Sequence, residues 1–182
     1  MTEGDRHEAS TRSFLACAAE VARLLDLGVA ADVPEDRRAR HLAHAARKPL
    51  LERAGLPEEF FDPLMAAAVY DPDPSFCRWF VEPAVYAFGR RRVMTALLGY
   101  LRTGTTAERA GAQRAWYCAH VPLRADRSPA YAPNGIRDPA LDDVDDVVDQ
   151  WLTTSGAQQR DRSTPGGPDR PRGALNHTSA AR

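Results

Sequence analysis

LPEEFFDPLMAAAVYDPDPSFCRWFVEPAVYAFGRRRVMTALLGYLRTGTTAERAGAQRAWYCAH, residues 56–120, is cut by proline and glycine into four apolar-periodic pieces of helical length with almost no linker between them. Pro57 with Glu58 and Glu59 opens the first piece, because proline presets the helical φ and acidic side chains suit the positive end of a helix. Phe60, Phe61, Leu64, Met65, Ala68 and Val69 form its stripe. Pro63 within that stripe either kinks the helix or restarts it behind Asp62, and the restart is the preferred reading. Asp71-Pro72-Asp73-Pro74 makes a stiff corner, since each proline drives the aspartate before it out of the helical region. Phe76, Phe80, Ala84 and Phe88 then fall four apart, with Cys77, Val81 and Val85 beside them, and Pro83 is expected to kink this helix.

Gly89 closes that piece, and Arg90-Arg91-Arg92 leads without a loop into Val93, Met94, Leu97, Leu98, Tyr100 and Leu101, an antiparallel return. After Gly104, the run Thr105 to Glu108 is a capping box, in which hydroxyl and carboxylate each satisfy a free N–H of the new helix. Ala107, Gly111, Ala115 and Ala119 present a smooth face. Gly111 costs ~1 kcal/mol of helix propensity against alanine, which close approach of a neighbouring helix offsets.

Working outward, residues 1–9 read as a flexible N-terminus and residues 10–27 as a helix stopped by Gly28. Residues 35–47 form a weak outer helix, with Leu42 and small alanines as its apolar content and Arg37, Arg38 and Arg40 on its wet side. Pro49 interrupts it, and Gly55 closes the following turn in a left-handed conformation. On the other side, residues 121–138 read as a loop, residues 139–153 as a loosely attached acidic amphipathic helix, and residues 154–182 as a disordered tail too poor in large apolar residues to order itself. The fold class is all-α, short antiparallel helix pairs in a stack over residues 10–120.

The chain of 182 residues suits one domain, and its 43% hydrophobic content, much of it alanine, suits small side chains packed at close range. Net charge is −1, so no whole-molecule field favours nucleic acid or an anionic membrane. Lys48 stands alone among the basic residues as a lysine, which reads as codon bias of a GC-rich genome. Cys17, Cys77 and Cys118 are odd in number, far apart and set among apolar neighbours, as buried free thiols are. The polar N-terminus lacks the apolar run of a signal peptide, and no segment approaches the ~20 apolar residues of a membrane span. A cytoplasmic protein without membrane contact is the expectation.

Candidate chemistry is sparse. His41 and His44 share a helix face, but without a third ligand they read as surface histidines. Cys118 and His120 read as a buried thiol and a C-terminal histidine, and Asp71 and Asp73 as caps before proline. The aspartates from Asp138 to Asp149 lack the spacing of a calcium loop and read as a solvated or docking face. No phosphate loop, nucleophile elbow or metalloprotease motif occurs, and neither cofactor nor metal is expected. The best binding candidate is Arg90, Arg91 and Arg92 with the aromatics Trp79, Tyr86, Trp116 and Tyr117 on adjacent helices, since guanidinium groups beside exposed rings recognise acidic peptides, phosphates or bases.

Tyr70 to Phe76, Arg78 to Pro83, Phe88 to Val93, Tyr100 to Gly104, Glu108 to Ala112 and Ala115 to Tyr117 together resemble a group of actinobacterial proteins similar to HEAT-repeat helical solenoids. The resemblance covers a third to a half of the chain. It implies helix pairs stacked as a HEAT-like α-solenoid, a proline in the first helix of a pair, and a non-enzymatic protein-binding or adaptor role. It carries no catalytic residue. HEAT-like folds also include DNA-repair glycosylases, so a nucleic-acid-binding role through Arg90, Arg91 and Arg92 is the alternative. The chain departs from the pattern after Tyr117, where more helix pairs are expected, and a truncated solenoid of little function is a third reading.

Overall fold

The computed structural model describes residues 3–28, 33–53, 55–120 and 143–163. Expectations for the loop and for the end of the tail lie outside the described residues. Among those residues the chain is all-helical, with no strand: α1 (Glu3–Leu24), α2 (Glu35–Glu52), a 3-10 turn (Glu58–Phe60), α3 (Phe61–Tyr70), α4 (Arg78–Phe88), α5 (Arg90–Thr103), α6 (Thr106–His120) and α7 (Asp145–Ser163). α3 buries Phe61, Leu64, Met65, Ala67, Ala68 and Val69, and a helix that is apolar nearly all round belongs at the centre. It packs against α1, α4 and α6; α2 lies on α1 and α4, α5 on α4 and α6, and α7 on α5. The core is continuous across these contacts, from Phe14 and Val21 through Leu42, Phe60 and Phe80 to Met94, Leu97 and Leu101.

Local signals place several boundaries. Gly89 takes φ 84°, a left-handed conformation that lets α5 start one residue after α4 ends. The capping box forms in full: the Thr105 N–H donates to Glu108 Oε2 at 2.7 Å and the Glu108 N–H to Thr105 Oγ1 at 3.3 Å. A Cβ on Gly111 would stand 1.9 Å from the Val69 carbonyl oxygen, so the bare glycine is what seats α6 directly on the α3 backbone.

Other expectations are corrected. α1 begins at Glu3, earlier than the expected residue 10, and it is stopped by Asp26, at φ 56°, with Leu27 N–H bonding back to the Ala22 carbonyl; Gly28 takes no left-handed conformation, and neither does Gly55. α2 runs through Pro49 to Glu52. Leu50 and Ala46 are buried on either side of that proline, and burying one leucine contributes about 1.5–3 kcal/mol, comparable with the ~3 kcal/mol a helix-interior proline costs. Neither reading of Pro63 holds as stated: a 3-10 turn precedes α3, and Pro63 sits in its first turn, where its missing N–H has no intrahelical partner to lose. α7 continues past the expected end at residue 153, and the Thr153 and Thr154 hydroxyls donate to the carbonyls of Asp149 and Gln150. It is held by buried Val144, Val147 and Trp151.

Candidate functional site

Because a single glycine separates α4 from α5, α5 opens on three arginines whose charges oppose its dipole. Each is drawn to a different partner. Arg90 is buried and donates to the Ala119 carbonyl, one of the carbonyls that the end of α6 leaves without an intrahelical donor. Arg91 donates to both carboxylate oxygens of Asp146, at 2.8 and 2.8 Å, and to the Asp143 carbonyl. Arg92 donates to both carboxylate oxygens of Glu58, and its guanidinium lies 4.0 Å from the centre of the Phe61 ring. These hydrogen bonds hold the carboxyls of Glu58 and Asp146 below the usual carboxylate range. An open groove of about 590 Å³ lies here, walled by Phe61, Phe88, Ala96 and the three arginines.

The aromatics singled out in the sequence are distributed over three places. Trp79 meets Phe76 edge-on at 4.6 Å and His44 at 5.7 Å, with the Arg47 guanidinium 5.4 Å from its ring centre. Beside it, Arg40 lies 5.1 Å from the centre of Phe14 and 4.3 Å from that of Phe76, and grips the buried Asp71 carboxylate at 2.7 and 2.9 Å. The Asp71 carboxylate also accepts from the Asp73 N–H at 2.9 Å, and its carbonyl from Arg114 at 3.0 Å. This cage fastens α2 and α6 to the proline corner. Tyr86 donates to Glu82, which pairs with Arg78 at 3.3 Å. Trp116 stacks face to face on Trp151, with centres 3.9 Å apart and planes 6° from parallel, and Tyr117 is exposed. Arg91 and Trp116 thus both reach α7, Arg90 ties α5 to the end of α6, and Trp79 sits in the Arg40 cage.

His41 and His44 are exposed on α2, and among the described residues no group of three His, Cys, Asp or Glu side chains suits a metal ion. Asp73 accepts from the Ser75 N–H at 2.8 Å within the turn ahead of α4, but α4 begins at Arg78 behind Cys77 without a side-chain cap, so the expected helix cap does not form. Asp71 ends α3 and caps no helix start; its carboxylate holds Arg40 instead. His120 is exposed, but Cys118 faces Cys77 with the sulfurs 3.7 Å apart, a juxtaposition across 41 residues that spacing does not reveal. Among the described residues no helix is long and apolar enough to cross a membrane. The chain matches no protein-family model, no curated protein and no solved structure.

Proposed function

We propose that the protein is a non-enzymatic protein-binding or adaptor module whose helices pair as α1–α2, α3–α4 and α5–α6 and stack in the HEAT-like manner. The packing supports this reading: each pair is in contact within itself and with the next pair, and no extensive contact joins the first pair to the third among the described residues. The partner surface is the α6–α7 end. The observation that carries it is the exposure of Tyr117, at 72%, and Leu152, at 62%, beside the stacked Trp116 and Trp151; they are the large hydrophobic side chains left in water among the described residues. An aromatic and an aliphatic anchor beside a rigid aromatic stack fit the composition of protein-binding hot spots. Arg91 and Arg92 favour a protein over a nucleic acid, because phosphate would have to displace Asp146 and Glu58 from them.

The test is capture of partners from a lysate of the source cells with and without nuclease, comparing the full chain with the Tyr117→Ala/Leu152→Ala variant. A stoichiometric, nuclease-resistant protein lost in that variant supports the proposal. Recovery of nucleic acid alone, falling with salt and lost in Arg91→Ala/Arg92→Ala, overturns it in favour of the glycosylase-like alternative.

A further inference from the structure

Cys77 is fully buried at the N-terminal cap of α4, and Cys118 is partly exposed in the last turn of α6. Their sulfurs lie 3.7 Å apart, and α4 packs directly on α6. A disulfide needs an S–S distance of about 2.0 Å, so the sulfurs must close by on the order of 1.7 Å, a displacement within the reach of side-chain rotation. We propose that Cys77 and Cys118 are a redox-active dithiol, with Cys118 as the attacking thiol and Cys77 as the resolving thiol, oxidised by small-molecule disulfides to a bond that locks α4 to α6.

The asymmetry of the pair assigns the roles. Hydrogen bonding between the sulfurs and burial raise Cys77, which keeps its single proton, shared between the Pro74 carbonyl at 3.3 Å and the Cys118 sulfur, while the same sulfur–sulfur contact and the nearby Arg78 guanidinium lower Cys118. The thiolate is the nucleophile, and it belongs to the cysteine that solvent reaches. In the first step the Cys118 thiolate attacks one sulfur of the small-molecule disulfide, whose S–S bond breaks and releases a thiolate. That thiolate takes up the Cys77 proton. The Cys77 thiolate then attacks the Cys118 sulfur, the bond from that sulfur to the small molecule breaks, and the second small thiolate leaves and takes up from water the proton that Cys118 released on ionising. Two protein thiols are oxidised to one disulfide, and one small-molecule disulfide is reduced to two thiols. Cys77 gives up its 3.3 Å hydrogen bond to the Pro74 carbonyl in the process, so oxidation touches the proline corner as well as the helix pair. Cys17, on α1, is raised by burial and is the internal control.

The full chain is equilibrated with oxidised and reduced glutathione at a series of ratios, quenched in acid, alkylated and digested with trypsin without reductant. Expected is a linked pair of peptides, residues 54–78 with residues 115–124, whose fraction titrates with the glutathione ratio and returns to zero with dithiothreitol, while Cys17 remains alkylated. In Cys77→Ser, which removes the resolving thiol, the glutathione adduct on Cys118 rises at least tenfold. A wild-type chain that holds a glutathione adduct on Cys118 without the linked peptides overturns the proposal. So does pairing through Cys17, a disulfide between two chains, or full alkylation of Cys77 and Cys118 in excess oxidised glutathione. The wild-type mapping decides the matter even if the serine variant does not fold.

Discussion

Two arginines hold a carboxylate in the same two-pronged way: Arg40 grips Asp71 at 2.7 and 2.9 Å, and Arg91 grips Asp146 at 2.8 and 2.8 Å. Their surroundings differ. The Asp71 side chain is 0% exposed and Arg40 31%, with aromatic rings on the guanidinium, whereas Arg91 is 47% and Asp146 55% exposed. Equal geometry does not make equal joints. Removing one partner from the buried pair strands a charge in a low-dielectric site, while at the surface water takes the lost partner's place. The Arg40 cage therefore fixes α2 to the proline corner, and the Arg91 pair only trims the α5–α7 seam.

The sharpest way to break this comparison is Asp71→Ala, expected to cost about 3 kcal/mol, at the low end for a broken buried pair because Arg40 keeps some water. Asp71→Asn costs less, since its amide oxygen still accepts from Asp73. Urea unfolding followed by circular dichroism measures both, and an alanine loss under about 1 kcal/mol would erase the distinction between the two joints. Gly111→Ala supplies a joint without charge. Its Cβ meets the Val69 carbonyl oxygen and carbon, backbone atoms that cannot rotate away, so a cost of about 2–3 kcal/mol is expected. A gain, as helix propensity alone requires, would mean that α3 and α6 are not seated on each other.

Tyr70 and Glu108 lie between these extremes, both partly buried, with the tyrosine hydroxyl donating to the carboxylate at 2.8 Å. The hydrogen bond to Glu108, and then burial, push the Tyr70 hydroxyl from 10.0 up to about 12. A folded value above the unfolded one means stability that is complete below pH 10 and lost as pH rises toward 12. Glu108 is lowered, first by the Thr105 N–H and then by Tyr70, so its contribution is present above the ordinary carboxylate range and lost as pH falls through its folded value. Tyr70→Phe is expected to cost about 1 kcal/mol at neutral pH and to flatten this alkaline loss in a pH series of urea midpoints.

What could be read in the sequence was local. The capping box at Thr105, the stop at Gly89 and the close-packing face through Gly111 each depend on a few adjacent residues and on backbone sterics. Asp26 supplies the stop expected of Gly28, because a helix stop needs the conformation, not the glycine. Pro49 and the turn ahead of α3 misled because tertiary burial outweighs local propensity. Arg90, Arg91 and Arg92 were legible as a cluster, but not their partners, since Ala119, Asp146 and Glu58 lie 29, 55 and 34 residues away. Distance in the chain hid the Arg40–Asp71 cage and the Cys77–Cys118 pair in the same way. The Trp116–Trp151 stack was hidden for a further reason: the acidic face of α7 advertises water, and only its period shows the buried side.

The smallest expected effect belongs to Asp146→Ala, under about 1 kcal/mol. Its value lies in a double-mutant cycle with Arg91→Ala, repeated at high salt. At 1 M ionic strength the Debye length is about 3 Å, so an exposed pair loses most of its coupling, whereas the Arg40–Asp71 coupling, shielded by Phe14, Phe76 and Trp79, persists. The helix content of α7 follows the same logic. If Val144, Val147 and Trp151 hold α7 by burial, Asp146→Ala leaves it docked and the Trp116 fluorescence environment unchanged at either salt. A coupling between Arg91 and Asp146 that survived salt would place the seam in the same class as the cage, and would make the electrostatic grip, rather than the stacked indoles, the reason α7 stays on α5.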